Sequence, residues 1–134
     1  MIDCLIMGDE IADKLADYIS GCATLIRPNI SSSNFQAELG HTNLVRTDWD
    51  TVIISLGMSD NLNGRETRDA LRELRHGVKA SMVYWILPPE SHMEVRNAVH
   101  DVAMGRQDGL IDVTGWTRTG PTVNGYKEIA NKVR

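Results

Sequence analysis

Apolar residues fall along this chain in short unbroken runs, separated by stretches where they recur every third or fourth position. Ile2–Met7 is such a run, too short for a helix and closed by Gly8, which suits a buried strand. Asp9 then caps a helix whose stripe is Ile11, Leu15, Tyr18 and Ile19, stopped at Gly21. Cys22–Ile26 is a second strand, followed by a Ser- and Asn-rich loop over 29–34 and a short helix over Phe35–Leu39 ended by Gly40. Thr51–Leu56 (Thr-Val-Ile-Ile-Ser-Leu) is the strongest strand, β-branched and nearly continuous, as a parallel strand covered on both faces should be. The chain turns at 57–61 into a helix over Arg65–His76, with Ala70, Leu71 and Leu74 inward and a charged face outward. Ser81–Leu87 is the next strand, ended by Pro88-Pro89. Ser91-His92-Met93-Glu94 has the form of a capping box that opens a helix to about Met104. Leu110–Val113 is a fifth strand, and Asn124–Val133 a last helix burying Tyr126, Ile129, Ala130 and Val133.

Strands alternating with helices predict βαβ units, right-handed crossovers and a parallel sheet. The expected fold is a single three-layer α/β/α domain over residues 1–134, with a five-stranded parallel sheet in which Thr51–Leu56 has a neighbour on each side. Sheets of this kind bind ligands beyond the carboxyl ends of their strands. Any site is therefore expected among residues 8–10, 28–33, 57–61, 88–90 and 116–124.

Those segments resemble the signature blocks of the SGNH, or GDSL-type, hydrolases, a family of esterases and lipases with a flavodoxin-like fold. The first strand ends in Gly8-Asp9-Glu10, where the family has Gly-Asp-Ser with a nucleophilic serine. Pro28-Asn29-Ile30-Ser31-Ser32 matches the block that supplies a loop glycine to the oxyanion hole. Ile54-Ser55-Leu56-Gly57-Met58-Ser59-Asp60 fits the Gly-x-Asn-Asp block, and residues 117–126 fit the frame of Asp-x-x-His-Pro followed by a Gly-Tyr helix. The blocks occur in family order over nearly the whole chain.

The departures from the pattern concern the chemistry itself. Glu10 stands where the resemblance places the serine, Gly120 where it places the histidine base, and Thr117 where it places the aspartate that orients the base. A carboxylate cannot repeat acyl transfer through a deprotonated hydroxyl, and glycine has nothing to titrate. Asn29 takes the place of the oxyanion glycine and keeps a backbone N–H. Ser59 replaces the oxyanion asparagine with a shorter donor. Losing one such donor typically costs about 10²–10³ in rate. The expectation is a non-catalytic relative with the degenerate cleft Asp9, Glu10, Asn29, Ser59, Asp60, Thr117 and Gly120.

Other residues offer no replacement triad. Ser31, Ser32, Ser33, Ser55 and Ser59 are hydroxyls and His41, His76, His92 and His100 are bases, but a triad needs nucleophile, base and orienting group within mutual reach. His76 ends a helix, where a cation complements the dipole. His92 and His100 are eight residues apart on one predicted helix, and no recognised zinc spacing surrounds them. Asp9, Glu10 and Asp60 are expected to converge at the mouth of the sheet. Such a cluster would suit Ca²⁺ or Mg²⁺; the reading adopted instead has Asp9 capping its helix, Asp60 bonding the next turn and Glu10 pointing to water near a helix N-terminus. No cofactor or metal is assigned.

Composition removes whole classes of function. The 134 residues carry 18 acidic and 14 basic side chains, a formal charge of −4, without the basic footprint of a general nucleic-acid binder. No run approaches the roughly 20 apolar residues of a membrane span. The apolar opening lacks the basic start of a secretory leader, which predicts a cytoplasmic product. Cys4 and Cys22 are then expected as two buried thiols, with a disulfide open to them if their strands are neighbours. Trp85 belongs in the core, Trp116 is placed to plug the cleft, and Trp49 with Arg46 offers an interface anchor.

Function by association follows from this elimination: a protein partner or a homo-oligomer in an assembly, for example as a capsid decoration or head-completion protein of a tailed-phage virion. The rival is an esterase or acetyl-carbohydrate hydrolase with a relocated site. A third reading is a small-ligand or metal-binding protein that uses the cleft.

Overall fold

The computed structural model describes residues 3–60 and 63–133. Ile2 and Asn61, which the sequence places in the first strand and in the turn after the central one, lie outside them. Five parallel strands form the sheet: β1 (Cys4–Gly8), β2 (Ala23–Ile26), β3 (Asp48–Ser55), β4 (Lys79–Ile86) and β5 (Gly109–Ile111), in the order β2-β1-β3-β4-β5. β3 lies between β1 and β4, with Ile53 beside both Ile6 and Tyr84. The doubly flanked central strand is as expected, and it begins earlier than its apolar run because Asp48 and Trp49 extend the ladder with β4.

Alternation along the strands sends side chains to two cores. Leu5, Met7, Val52, Ile54, Val83 and Trp85 face α2 (Ser32–Leu39), α3 (Asn43–Arg46), α4 (Gly64–Gly77) and α5 (Met93–Gly105). Ile6, Ile53, Ile86 and Ile111 face α1 (Glu10–Leu15) and α6 (Val123–Lys132). The result is an α/β/α sandwich. Leu71 and Leu74 of α4 and Ile129 of α6 are at most 1% exposed, as a stripe against the sheet must be.

Several local expectations are corrected. The first helix ends at Leu15, where the Tyr18 N–H donates to the Leu15 carbonyl in a tighter turn; Tyr18 and Ile19 still pack on the core from that turn. The capping box does not form. Residues Glu90–His92 make a 3₁₀ turn after Pro89, Ser91 Oγ meets His92 Nδ1, and α5 starts at Met93 with no side-chain cap. The Glu94 carboxylate accepts the Gly64 N–H across to α4 instead. α3 and the two-residue hairpin strands β6 (Trp116–Thr117) and β7 (Gly120–Pro121) are too short to leave a periodic signal.

Cys4 and Cys22 form a disulfide, so the expectation of two thiols gives way. Parallel pairing of β1 with β2 sets their Cα atoms 4.8 Å apart, within disulfide reach. Among the described residues no helix is long and apolar enough to cross a membrane.

Candidate functional site

The carboxyl ends of β1 and β3 carry the first of the candidate positions. Gly8, at φ 142°, ends β1 so close to β3 that a Cβ there would collide with the Ser55 carbonyl oxygen. Only glycine supplies that approach. The following Asp9 N–H donates to the Ser55 carbonyl at 3.0 Å, which ties the start of α1 to the end of β3.

Asp9 is fully buried and caps α1, its Oδ1 accepting from the Ile11 N–H at 3.0 Å and from Ser55 Oγ at 3.4 Å. Among the described residues its Oδ2 has no hydrogen-bond partner. Burial, and then the neighbouring Glu10, push the Asp9 carboxyl up to about 7, against the lowering effect of its backbone hydrogen bonds. At neutral pH this group is divided between its acid and its anion.

Glu10, half-exposed in the first turn of α1, does more than face water. Its carboxylate accepts the Asn29 N–H at 2.6 Å, and Asn29 itself sits at φ 59°. The resemblance places the nucleophile at the first of these positions and an oxyanion donor at the second, so the two come together with that amide engaged by the carboxylate. Asp60 serves the same loop one turn later. Its Oδ1 accepts the Ser32 N–H and its Oδ2 the Thr67 hydroxyl, each at 2.6 Å. Two carboxylates thus hold the segment over 29–32 from opposite ends, one from the start of α1 and one from the turn before α4.

The three carboxylates turn to three different sets of partners: Asp9 caps α1 as expected, Glu10 takes the Asn29 N–H, and Asp60 takes the Ser32 N–H and the Thr67 hydroxyl. Among the described residues no group of three His, Cys, Asp or Glu side chains is placed to hold a metal ion. Ser59 lies half-buried in the turn after β3.

The hairpin β6–β7 carries the remaining cleft positions. Thr117 Oγ1 donates to the Gly120 carbonyl at 2.8 Å and so braces its own turn. Gly120 is buried at φ 147°; a Cβ there would stand 3.1 Å from the Tyr126 hydroxyl and 3.4 Å from Ile11. Tyr126 fills the space a side chain at 120 would enter. Burial first, then the charges of Asp9, Tyr18 and Glu10, push its hydroxyl up to about 12. Its ring stacks on Tyr18 with centroids 5.2 Å apart. Tyr126 is legible from sequence as a core residue, but its place beside Gly120 is a tertiary fact.

The other singled-out residues lie apart. Trp116 is half-buried against the core, its Nε1 donating to the Val113 carbonyl. Trp49 is half-buried and donates to the Leu44 carbonyl, while Arg46 is exposed and meets His41 Nδ1 at 3.0 Å. His100 lies exposed on α5, and His76 lies in the last turn of α4 beside Arg106.

By sequence, neither a family model nor a curated protein matches this chain. By structure it is similar to protein YxiM from Bacillus subtilis, with TM-score 0.69 and 13% identity over 97% of this chain and 54% of that one. It is also similar to a possible lipase from Chitinophaga pinensis, with TM-score 0.51 and 12% identity over 82% of this chain and 66% of that one. The chain thus spans between half and two thirds of the length of these two structures. The parallel sheet, its strand order and these neighbours make this a three-layer α/β/α fold of the kind those two structures share.

Proposed function

We propose that this domain has given up ester hydrolysis and works as a binding module on a hydrolase-like scaffold. The observation that carries the reading is the Glu10–Asn29 hydrogen bond at 2.6 Å. A carboxylate stands at the nucleophile position and occupies the amide that would face a developing oxyanion. The base position supports the same reading, because Gly120 has no titratable group and the space a side chain there would use faces the Tyr126 hydroxyl. With those groups absent, binding surfaces remain as the route to function, and the buried cores hold them rigid.

The test is hydrolysis of p-nitrophenyl acetate and p-nitrophenyl butyrate by the purified protein. Release of nitrophenolate should match the buffer rate. Glu10→Ser should leave it there, since no imidazole waits at position 120. Saturable turnover by the unmodified protein, of the kind an esterase shows, would overturn the reading.

A further inference from the structure

The Cys4–Cys22 disulfide lies at the amino ends of β1 and β2, the end of the sheet opposite the Glu10–Asn29 contact. It borders a cavity of about 270 Å³ that both cysteines line. Ile19, Ile53 and Val133 give this cavity an apolar lining, and Ser20 and Thr51 add hydroxyl-bearing side chains. The disulfide thus faces space that a small molecule can enter.

The two cysteines are not equivalent. β1 runs between β2 and β3, and its Cys4 is paired with Thr51 and only 6% exposed. Cys22 stands just before β2, the strand at the edge of the sheet, and is half-buried. Gly21 beside it is exposed, with open space where a Cβ would stand. A thiolate that attacks a disulfide needs access to the sulfur it strikes, and access favours Cys22. The leaving group favours the opposite choice, since burial disfavours a Cys4 thiolate. Access decides, because a poor leaving group slows the step whereas a covered sulfur is not struck at all.

We propose that Cys22 is a site of S-thiolation by low-molecular-weight thiols, with Cys4 as the buried leaving sulfur. The thiolate of the small thiol attacks Cys22 Sγ; a new S–S bond forms there and the Cys4–Cys22 bond breaks. Cys4 departs with the electron pair and takes up the proton that the incoming thiol gave up. One disulfide replaces another, so no further oxidant or reductant is consumed. Once protonated, the buried Cys4 is a poor nucleophile, and the mixed disulfide persists until a second thiol releases it. The inference goes beyond the reading of the Glu10 site and does not depend on it, since this cavity lies at the other end of the sheet.

The probe is reduced glutathione added to the folded protein, followed by an acid quench and peptide mapping by mass spectrometry. One glutathionyl group should appear on Cys22, with Cys4 as a free thiol. In urea the cavity is lost, and both cysteines should carry label. Single variants isolate the role of access: Cys4→Ala leaves Cys22 free, Cys22→Ala leaves Cys4 free, and oxidised glutathione supplies the disulfide. Cys4→Ala should label at least about tenfold faster, because the buried thiol of Cys22→Ala reacts only when the fold opens. Circular dichroism checks that both variants fold, and the wild-type map stands without them. Label mainly on Cys4 of the folded protein, an unchanged preference for Cys22 in urea, equal rates in the folded variants, or a disulfide that glutathione leaves intact would each overturn the proposal.

Discussion

The Glu10 carboxylate accepts the Asn29 N–H at 2.6 Å and so fastens the start of α1 to the loop after β2. Asn29 holds φ 59°, a left-handed conformation that asparagine tolerates and glycine adopts freely. Glu10→Ala should cost about 1–2 kcal/mol in urea unfolding, the scale of a hydrogen bond to a charged acceptor. Asn29→Gly should be close to neutral, because it keeps the N–H and the backbone geometry. Asn29→Val should cost more than Glu10→Ala, since a β-branched residue resists positive φ. If Asn29→Val matched the wild type, the left-handed geometry would be absent in solution.

Asp9 gives the fold a pH dependence of unusual sign. Its carboxyl titrates near 7 when folded against 3.8 as an ordinary side chain, so between those values the folded state holds a proton that the unfolded state has lost. Stability attributable to this group is therefore greatest in acid and falls as pH rises from about 4 to 7, by at most about 1.4 kcal/mol per unit. Asp9→Asn keeps an oxygen for the Ile11 N–H and removes the titration. Thermal unfolding from pH 5 to 8 should show the wild type losing stability relative to Asp9→Asn. Parallel pH profiles would show that Asp9 titrates like an exposed acid.

The Cys4–Cys22 disulfide closes a loop of 18 residues that contains α1, Asp9 and Glu10. Loop-closure entropy predicts that breaking it costs about 3 kcal/mol through the unfolded state. Cys4→Ala with Cys22→Ala should lower the melting temperature by several degrees per kcal/mol lost, and a reducing agent should do the same to the wild type and nothing further to the variant. Equal melting of the oxidised and reduced wild type would mean that the bond does not form in solution.

Alternating runs and helical stripes made the sheet and the five longer helices legible, because each such element buries a face of its own. What escaped was decided by contacts distant in sequence. Ser91-x-x-Glu94 has the letters of a capping box, yet Pro88-Pro89 leads into a 3₁₀ turn and Glu94 finds Gly64 thirty positions away. The set of candidate positions just beyond the strand ends was legible. Its wiring was not, since Glu10 reaches Asn29 across 19 residues and Asp60 reaches Ser32 across 28. The disulfide depended in the same way on β1 and β2 being neighbours.

Asp108 is the clearest long-range addition to the core. It is 4% exposed in its side chain, receives the Arg75 guanidinium at 2.8 and 3.0 Å, and takes the Trp85 Nε1–H at 2.8 Å. Arg75 also donates to the Val78 carbonyl at the end of α4, so one buried group links α4, β4 and the approach to β5. Asp108→Ala would strand a buried cation and an indole N–H together, which predicts a loss of about 3–5 kcal/mol. Asp112 makes a similar fork with Arg96, but its side chain is 60% exposed and water replaces it readily. Asp112→Ala should therefore cost only about 0–1 kcal/mol. Urea unfolding of the two variants separates buried from exposed pairing on one scaffold. Equal losses would mean that burial contributes nothing to the Asp108 network, contrary to its role here as the tie between α4 and the sheet.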